Sequence, residues 1–477
     1  MAKKAQTVFV CQECGYESPK WMGQCICGAW NSMVEEKVLP VVEDRRRRTG
    51  TGVTSASSAG DSGASGNGLG RAGRPVPLKS VRSGETSRMD TGIPEFNRVL
   101  GGGLVRGSLT LISGEPGIGK STLILQAAAN IASRYGSVLY VSGEESEEQI
   151  KMRADRICGG IPDGLYILSE TNMENISLQQ ETLKPAFLII DSIQTMYSDS
   201  IESAPGSVSQ VRVCGNELMR IGKSLELPIL IVAHVTKSGE LAGPKIVEHL
   251  VDTVLHFTGE RSQDLRILRS HKNRFGTTNE IGAFEMRESG LAEVPNLSES
   301  LMEDMGDGSE GSIATALYEG TRPLILEIQA LTIASNPGFG RRTAIGVELS
   351  RLNMILAVLE KRAGISLTTQ DVYVNIVGGI RPEGTASDLA VALAVYSSYS
   401  GKKPPEMTIA LGEIGLTGEL RSIQHTDKIV REAARMGFKR IIMPEKNAER
   451  LRSQKDLSAK IQIIGVRRIY DALRLMS

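Results

Sequence analysis

The eight residues Gly114-Glu-Pro-Gly-Ile-Gly-Lys-Ser121 constrain this 477-residue chain more than any other stretch. They follow a short apolar run, Ser108 to Ile112, and precede Ser121 to Ser133, a stretch of strong helix formers closed by Gly136 as an expected C-cap. The string is a full match to GxxxxGK[ST] in its proper setting, strand before and helix after. Glycines let successive backbone N–H groups turn inward on a phosphate, and the following helix adds its positive N-terminal end. Lys120 would reach the β- and γ-phosphates of ATP, and the Ser121 hydroxyl would hold Mg²⁺. Gly114, Glu115, Pro116, Gly117, Ile118, Gly119, Lys120, Ser121 and Thr122 are therefore the expected nucleotide-binding residues.

Further short apolar runs recur downstream at Ser137–Ser142, Ala186–Ile190, Pro228–Ala233 and Thr253–Phe257, spaced widely enough for helices between them. Alternating strand and helix predicts an α/β fold with a mostly parallel sheet covered on both faces. Three of these strands end in polar groups that suit phosphate chemistry. Phe187-Leu-Ile-Ile190 runs into Asp191, placed to hold Mg²⁺ through water. Val138–Ser142 runs into Gly143-Glu144-Glu145, where one carboxylate would orient and deprotonate the attacking water; Glu144 is favoured, with Glu145 as the alternative. Ile229–Ala233 ends in His234, a position from which an imidazole would sense the γ-phosphate and move the loop beyond it.

Composition limits the partners. Fifty-five basic and 55 acidic residues give zero net charge, so binding to DNA has to come from local patches. No stretch approaches the roughly 18 consecutive apolar residues that a bilayer span needs, so no membrane partner is expected and the cytoplasm is the expected location. Residues 44–82 are rich in Gly, Ser, Ala and Thr, carry the basic run Arg45–Arg48, and read as a flexible linker. An acidic, aperiodic stretch at Leu291–Ser312 marks a second boundary, after which a new α/β pattern begins. The expected division is residues 1–43, 44–82, 83–295 and 296–477.

Residues 1–43 contain Cys11-x-x-Cys14 and Cys25-x-Cys27, two pairs with ten residues between them. Four thiolates at that spacing suit a small ribbon around one Zn²⁺, which replaces a core that so short a segment cannot build. Trp21 and Trp30 flank the second pair and are expected to pack against it. Cys158 and Cys214 read as buried, inert thiols.

Taken together, the phosphate loop, the glutamate after the second strand, FLIID and the polar residue after the fourth resemble the RecA-like ATPases. The string Lys272-Asn-Arg-Phe-Gly276 further resembles the signature of the bacterial RadA/Sms DNA-repair ATPases. Gly378–Ala390, Leu411–Leu420 and Gly437–Pro444 resemble the proteolytic domain of Lon. The RadA/Sms resemblance covers nearly the whole chain: a zinc ribbon, a RecA-like core and a C-terminal Lon-protease-like domain. It implies DNA-stimulated ATP hydrolysis by a homo-oligomer, a hexameric ring, acting on single-stranded and branched DNA with recombination proteins such as a RecA-type recombinase. Two features depart from the patterns. The second cysteine pair is one residue shorter than the family's CxxC. In the Lon-like part Ser387 stands at the nucleophile's place, but Asp427 occupies that of the activating lysine, with Lys428 one position later, so a scaffold without peptidase activity is expected.

Lys272 and Arg274, two apart at a strand end, point to one side and would enter a neighbouring subunit's site as fingers on transition-state charge. Phe275 would anchor the turn and Gly276 permit it. DNA contacts are expected from the loops Thr195–Gln210 and Thr236–Glu248, with Arg212, Lys237 and Lys245, and from the stripe Lys428, Arg431 and Arg435. An ATP-dependent Lon-like protease and a nucleotide-switched DNA-binding module without motor work are the alternatives.

Overall fold

The computed structural model describes residues 6–11, 16–26, 28, 30–38, 77, 79, 88–234, 245–259, 264–278, 280–302, 309–335, 340–377, 384–454, 457 and 459–476. The expected linker lies outside the described residues apart from Pro77 and Lys79, as do Cys14, Cys27, Lys237 and Gly378–Glu383.

The central sheet has nine strands: β1 (Leu109–Gly114), β2 (Val138–Ser142), β3 (Leu165–Ser169), β4 (Phe187–Asp191), β5 (Ile229–His234), β6 (Thr253–Thr258), β7 (Leu265–Asn273), β8 (Ile281–Arg287) and β9 (Gly290–Glu293). Their spatial order is β9-β8-β7-β6-β1-β5-β4-β2-β3. The six strands from β6 to β3 are parallel, and β7, β8 and β9 extend the sheet as antiparallel hairpins. That extension was absent from the expectation of a mostly parallel sheet. It arises because short turns join these strands, and a short turn can only reverse the chain.

β1, β4 and β5 are buried at nearly every position because helices cover both faces. On one side α1 (Lys120–Tyr135) and α2 (Glu147–Ile157) pack with Ile112, Leu123, Ile189 and Val232. On the other, α3 (Met173–Leu183) and α4 (Val208–Leu225) pack with Leu111, Ile190, Val211 and Ile231. Each fully buried Leu or Ile contributes about 1.5–3 kcal/mol. The helix starts follow local chemistry. Ser146 and Gln149 form a reciprocal capping box on α2, Asn172 caps α3, and Ser207 caps α4. Gly136 closes α1 at φ 111°, a conformation other residues resist.

A second, seven-stranded sheet holds β10 (Ser312–Glu319), β11 (Arg322–Ala334), β12 (Arg342–Ile345), β13 (Gln370–Ile376), β14 (Thr408–Ala410), β15 (Arg440–Pro444) and β16 (Gln462–Val466) in the order β12-β13-β11-β10-β14-β15-β16. The helices α5 (Leu349–Val358) and α6 (Asp388–Ser400) join one core, and α7 (Thr426–Arg435) and α8 (Glu445–Arg452) join the other. α6 is buried on nearly every side, which explains its Ala-rich sequence. No helix among the described residues is long and apolar enough to cross a membrane.

Near the N-terminus, strands Gln6–Cys11, Glu17–Ser18 and Met33–Val38 form a small antiparallel sheet. Cys11 and Cys25 are buried in one cluster with Met33, and Phe9 and Met22 lie against it. Trp21 and Trp30 do not pack there as expected: they are 54% and 71% exposed. Among the described residues the cluster consists of Cys11, Cys25 and Met33 with Phe9 and Met22 against it, and neither indole joins it.

Candidate nucleotide site

Parallel pairing aligns the C-terminal ends of β1, β5, β4 and β2, with His234 beside Gly114 and Ser142 beside Asp191. The phosphate loop fills the gap between β1 and α1. Gly117 and Gly119 adopt φ of 78° and 113°, and a Cβ on Gly119 would lie 2.8 Å from Met286 Cε. Backbone conformation calls for glycine there, whereas the flexible end of Met286 can swing aside. Glu115, Pro116 and Gly117 are exposed, Ile118 is buried, and Ser121 and Thr122 are half-buried in the first turn of α1.

Lys120 is buried within this loop. Its Nζ donates to the carbonyls of Gly114 (2.8 Å) and Glu115 (2.9 Å) and lies 3.1 Å from His234 Nδ1. Burial lowers its pKa to about 8, against an upward pull from the Asp191 and Glu144 carboxylates. An ammonium only donates, so His234 accepts through Nδ1 and carries its proton on Nε2, as the network assigns it. That nitrogen is 3.4 Å from Glu144 Oε1, without the alignment of a hydrogen bond. Burial and the nearby lysine charge depress the His234 pKa, so the ring is neutral at pH 7.

The two adjacent glutamates differ in their partners. Ser192 Oγ donates to Glu144 Oε1 at 2.7 Å, and the Glu144 side chain stays part-exposed beside His234. Glu145 instead pairs with Arg153, which withdraws it from the site. The Asp191 carboxylate accepts from the Tyr140 hydroxyl at 2.5 Å, and its backbone carbonyl accepts from Gly143 N at 2.8 Å. Gly143 has no room for a side chain, since a Cβ there would sit 2.0 Å from Thr195 Oγ1. Gln194 Nε2 donates to the His234 carbonyl at 3.1 Å, linking the segment after β4 to the end of β5. Tyr140, Ser192 and Gln194 went unremarked in the sequence. A hydroxyl inside the apolar run Val138–Val141 was the only available signal.

Lys272 and Arg274 are not brought to this cluster. β7 runs antiparallel to β6, with Asn273 opposite Thr253, which in turn neighbours Thr110 near the start of β1. The two cations therefore stand at the far edge of the sheet, four residues or roughly 13 Å along the strand from Gly114. Lys272 Nζ donates to the Glu248 carbonyl at 2.7 Å. Exposed Arg274 places Nη1 3.2 Å from Oδ1 of Asp252, a buried carboxylate that also takes Lys223 (2.7 Å) and the Leu109 amide (3.1 Å). Gly276 packs closely, since a Cβ there would lie 3.0 Å from Gly101 Cα and would press on backbone.

Other expected positions resolve differently. Arg212 lies within α4, not in a loop, and Lys245 begins a helix, Lys245–Leu250. In the C-terminal half, Lys428 Nζ sits 2.5 Å from the Tyr318 hydroxyl, whose ring stacks on His425. Ser387 is the buried N-cap residue of α6, and the Lys428 ammonium is engaged by Tyr318 instead. Arg435 is held by Glu432 and Glu299, so the stripe on α7 presents fewer unpaired cations than its sequence suggests. Burial pushes the Cys214 thiol up to about 12.

Similarity to known proteins follows this layout. Residues 74–240 match the AAA domain family, 343–447 match subunit ChlI of Mg-chelatase, and 9–35 match the rubredoxin metal binding domain. The DNA repair protein RadA of Bacillus subtilis is 48% identical over 99% of this chain and 98% of its own length. The chain belongs to the RadA family of DNA repair proteins. RadA of Halalkalibacterium halodurans is 49% identical over 100% of this chain and 99% of its own length, and that of Listeria monocytogenes is 46% identical over 99% of each. Among solved structures, a KaiC-like protein from Pyrococcus horikoshii is 21% identical and covers 44% of this chain and 100% of its own, at a TM-score of 0.37. The RadA-family chain thus joins a RecA-like ATPase core to a rubredoxin-type zinc ribbon and a C-terminal Lon-protease-like domain.

Proposed function

We propose that this RadA-family chain is a DNA-stimulated ATPase that works as a homo-oligomeric ring, a hexamer, on single-stranded and branched DNA. It drives branch migration or unwinding during recombinational repair, alongside a RecA-type recombinase. The observation that carries this reading is the split of the expected catalytic groups between opposite edges of one sheet. Lys120, Glu144, Asp191 and His234 converge at one edge, while Lys272 and Arg274 stand at the other. Fingers placed that far from their own phosphate loop suit a neighbour's site.

On this reading Lys120 leaves the Gly114 and Glu115 carbonyls for the β- and γ-phosphates. Ser121, and Asp191 through water, would hold Mg²⁺, which draws charge off the phosphate oxygens. Glu144, its Oε1 tied to Ser192, orients the attacking water and takes its proton. His234 loses its lysine partner when nucleotide binds and so reports occupancy to the segment that follows it. Lys272 and Arg274 of the next subunit meet the transition-state charge.

The four-part division at residues 43, 82 and 295 belongs to the same proposal. Zn²⁺ would be held by Cys11 and Cys25 with Cys14 and Cys27. Two features support this: the burial of both described thiols in one cluster, and the backbone bonds beside them, Cys11 N to Tyr16 O and Gly28 N to Cys25 O, each at 2.9 Å. The Lon-like domain is non-proteolytic on this reading, since Lys428 engages Tyr318.

The test is steady-state ATP hydrolysis with and without single-stranded DNA, with Lys120→Ala subtracting background. DNA acceleration that Lys120→Ala abolishes supports the motor. Hydrolysis indifferent to DNA refutes it.

A further inference from the structure

Glu319 and Arg322 face one another across the turn that joins β10 to β11 in the C-terminal domain. Both side chains reach the ATPase domain, Glu319 at its sheet and Arg322 at a helix beside it. Arg269 of β7 places Nη1 on Glu319 Oε2, and the Glu319 side chain is only 4% exposed. Arg322 places Nη2 on Glu95 Oε1, whose side chain is 3% exposed on the helix Pro94–Leu100. Glu95 Oε2 also accepts from the Ala283 amide of β8 at 3.2 Å. The charges are crossed, with an ATPase arginine on a C-terminal glutamate and a C-terminal arginine on an ATPase glutamate. A shared core in which Ile267, Ile281 and Ala283 meet Leu317, Leu324 and Leu326 supplies the adhesion. Buried ion pairs add little net stability to such a core, but breaking one is costly: without Arg269 the buried Glu319 charge loses its partner, whereas Glu95 without Arg322 keeps Arg98 at 3.2 Å.

The two elements gripped by this turn are the ones that frame Lys272–Gly276. Arg269 lies three residues before Lys272 on the same strand. The helix Pro94–Leu100 ends against the far side, where Asn273 Nδ2 donates to Val99 O at 3.4 Å and Gly101 abuts Gly276. Strand and helix thus hold the finger turn from two sides, and each is tied to the C-terminal domain by its own ion pair.

We propose that the 319–322 turn is a clamp through which the C-terminal domain positions the Lys272–Gly276 turn for the neighbouring subunit's ATP site, with Glu319 and Arg322 as positioning residues. This rests on the trans-finger reading above. Movement of the C-terminal domain, for instance when it meets DNA, then reaches the hydrolytic site through two salt bridges.

The test uses the full-length chain carrying Glu319→Gln, Arg322→Met or the charge-reversed pair Arg269→Glu/Glu319→Arg. Readouts are thermal melting, affinity for a non-hydrolysable ATP analogue, and kcat and KM for ATP. The single variants are expected to lose roughly ten- to a hundredfold in kcat, the cost of a slightly misplaced group, with analogue affinity within about twofold. The reversed pair should recover most of that loss, and it decides the matter if a single variant fails to fold. Each variant is also mixed with excess Lys120→Ala protein, whose own site is dead but whose finger turn is intact. Restored turnover supports the clamp. If Lys272→Ala in the same mixture is not restored, the trans-finger reading itself fails. If Lys272→Ala is restored but Glu319→Gln and Arg322→Met are not, or if both keep normal kcat, the clamp is wrong.

Discussion

Raising the pH above 8 should weaken ATP binding, and Lys120 sets the size of the effect. Without nucleotide its ammonium is buried among the Gly114 and Glu115 carbonyls with a pKa of about 8. Bound to phosphate oxygens carrying several negative charges, the same ammonium stays protonated well above that. Binding above pH 8 therefore takes up a proton, and affinity falls by up to a factor of ten per pH unit. Between pH 7 and pH 9.5 the loss should reach about thirtyfold, or about 2 kcal/mol. His234 does not confuse the titration: its pKa is depressed, so it is neutral throughout this window. The assay is calorimetric titration with a non-hydrolysable ATP analogue in EDTA, with Lys120→Arg as control, because a guanidinium stays charged and should give a flat profile. Wild-type affinity that is constant from pH 7 to 9.5, or an equal slope in Lys120→Arg, would refute the burial argument.

Three further outcomes follow from the site. Glu144→Gln should retain nucleotide and lose hydrolysis by about 10²–10⁴-fold, while Glu145→Gln, which loses only its pair with Arg153, should stay within a few-fold; single-turnover kinetics with radiolabelled ATP separates the two. Lys272→Ala and Arg274→Ala should bind ATP normally and hydrolyse it about 10³-fold or more slowly, and normal rates in both variants would remove them from the reaction. Gly143→Ala forces a Cβ into Thr195 and should cost about 1–3 kcal/mol, read as a lowered urea midpoint.

The zinc ribbon offers a separate check. Chelation should unfold residues 6–38, seen as rapid amide exchange there, and leave basal ATP hydrolysis intact, since the described part of that module contributes no residue to the Lys120 cluster. Elemental analysis of the untreated chain should find zinc, and a zinc-free chain with protected amides in that region would overturn the four-thiolate assignment.

Local chemistry made much of this molecule legible from sequence. The phosphate loop is recognisable because its glycines, lysine and serine act within eight consecutive residues, and its flanking strand and helix announce themselves by apolar runs and helix formers. That Asp191, Glu144 and His234 lie together was legible the same way, since parallel strands place their C-terminal ends at one edge whatever their lateral order. The choice between Glu144 and Glu145 was different. It depends on Arg153 lying eight residues beyond Glu145 and on Ser192 lying just past the end of another strand, β4. The exposure of Trp21 and Trp30 likewise depended on which side chains join the cysteine cluster.

What the chain alone determined is therefore the chemistry available: a phosphate cradle, carboxylates at strand ends, two thiol pairs and a cationic turn. Tertiary structure decided which of these meet. Antiparallel return of β7 sent Lys272 and Arg274 to the edge opposite Lys120, and the crossed pairs at Glu319 and Arg322 tied that edge to the C-terminal domain. Side chains 50 and 227 residues apart along the chain form these bonds. No local pattern encodes such separations, because strand order and domain packing, not sequence neighbours, bring the charges within reach.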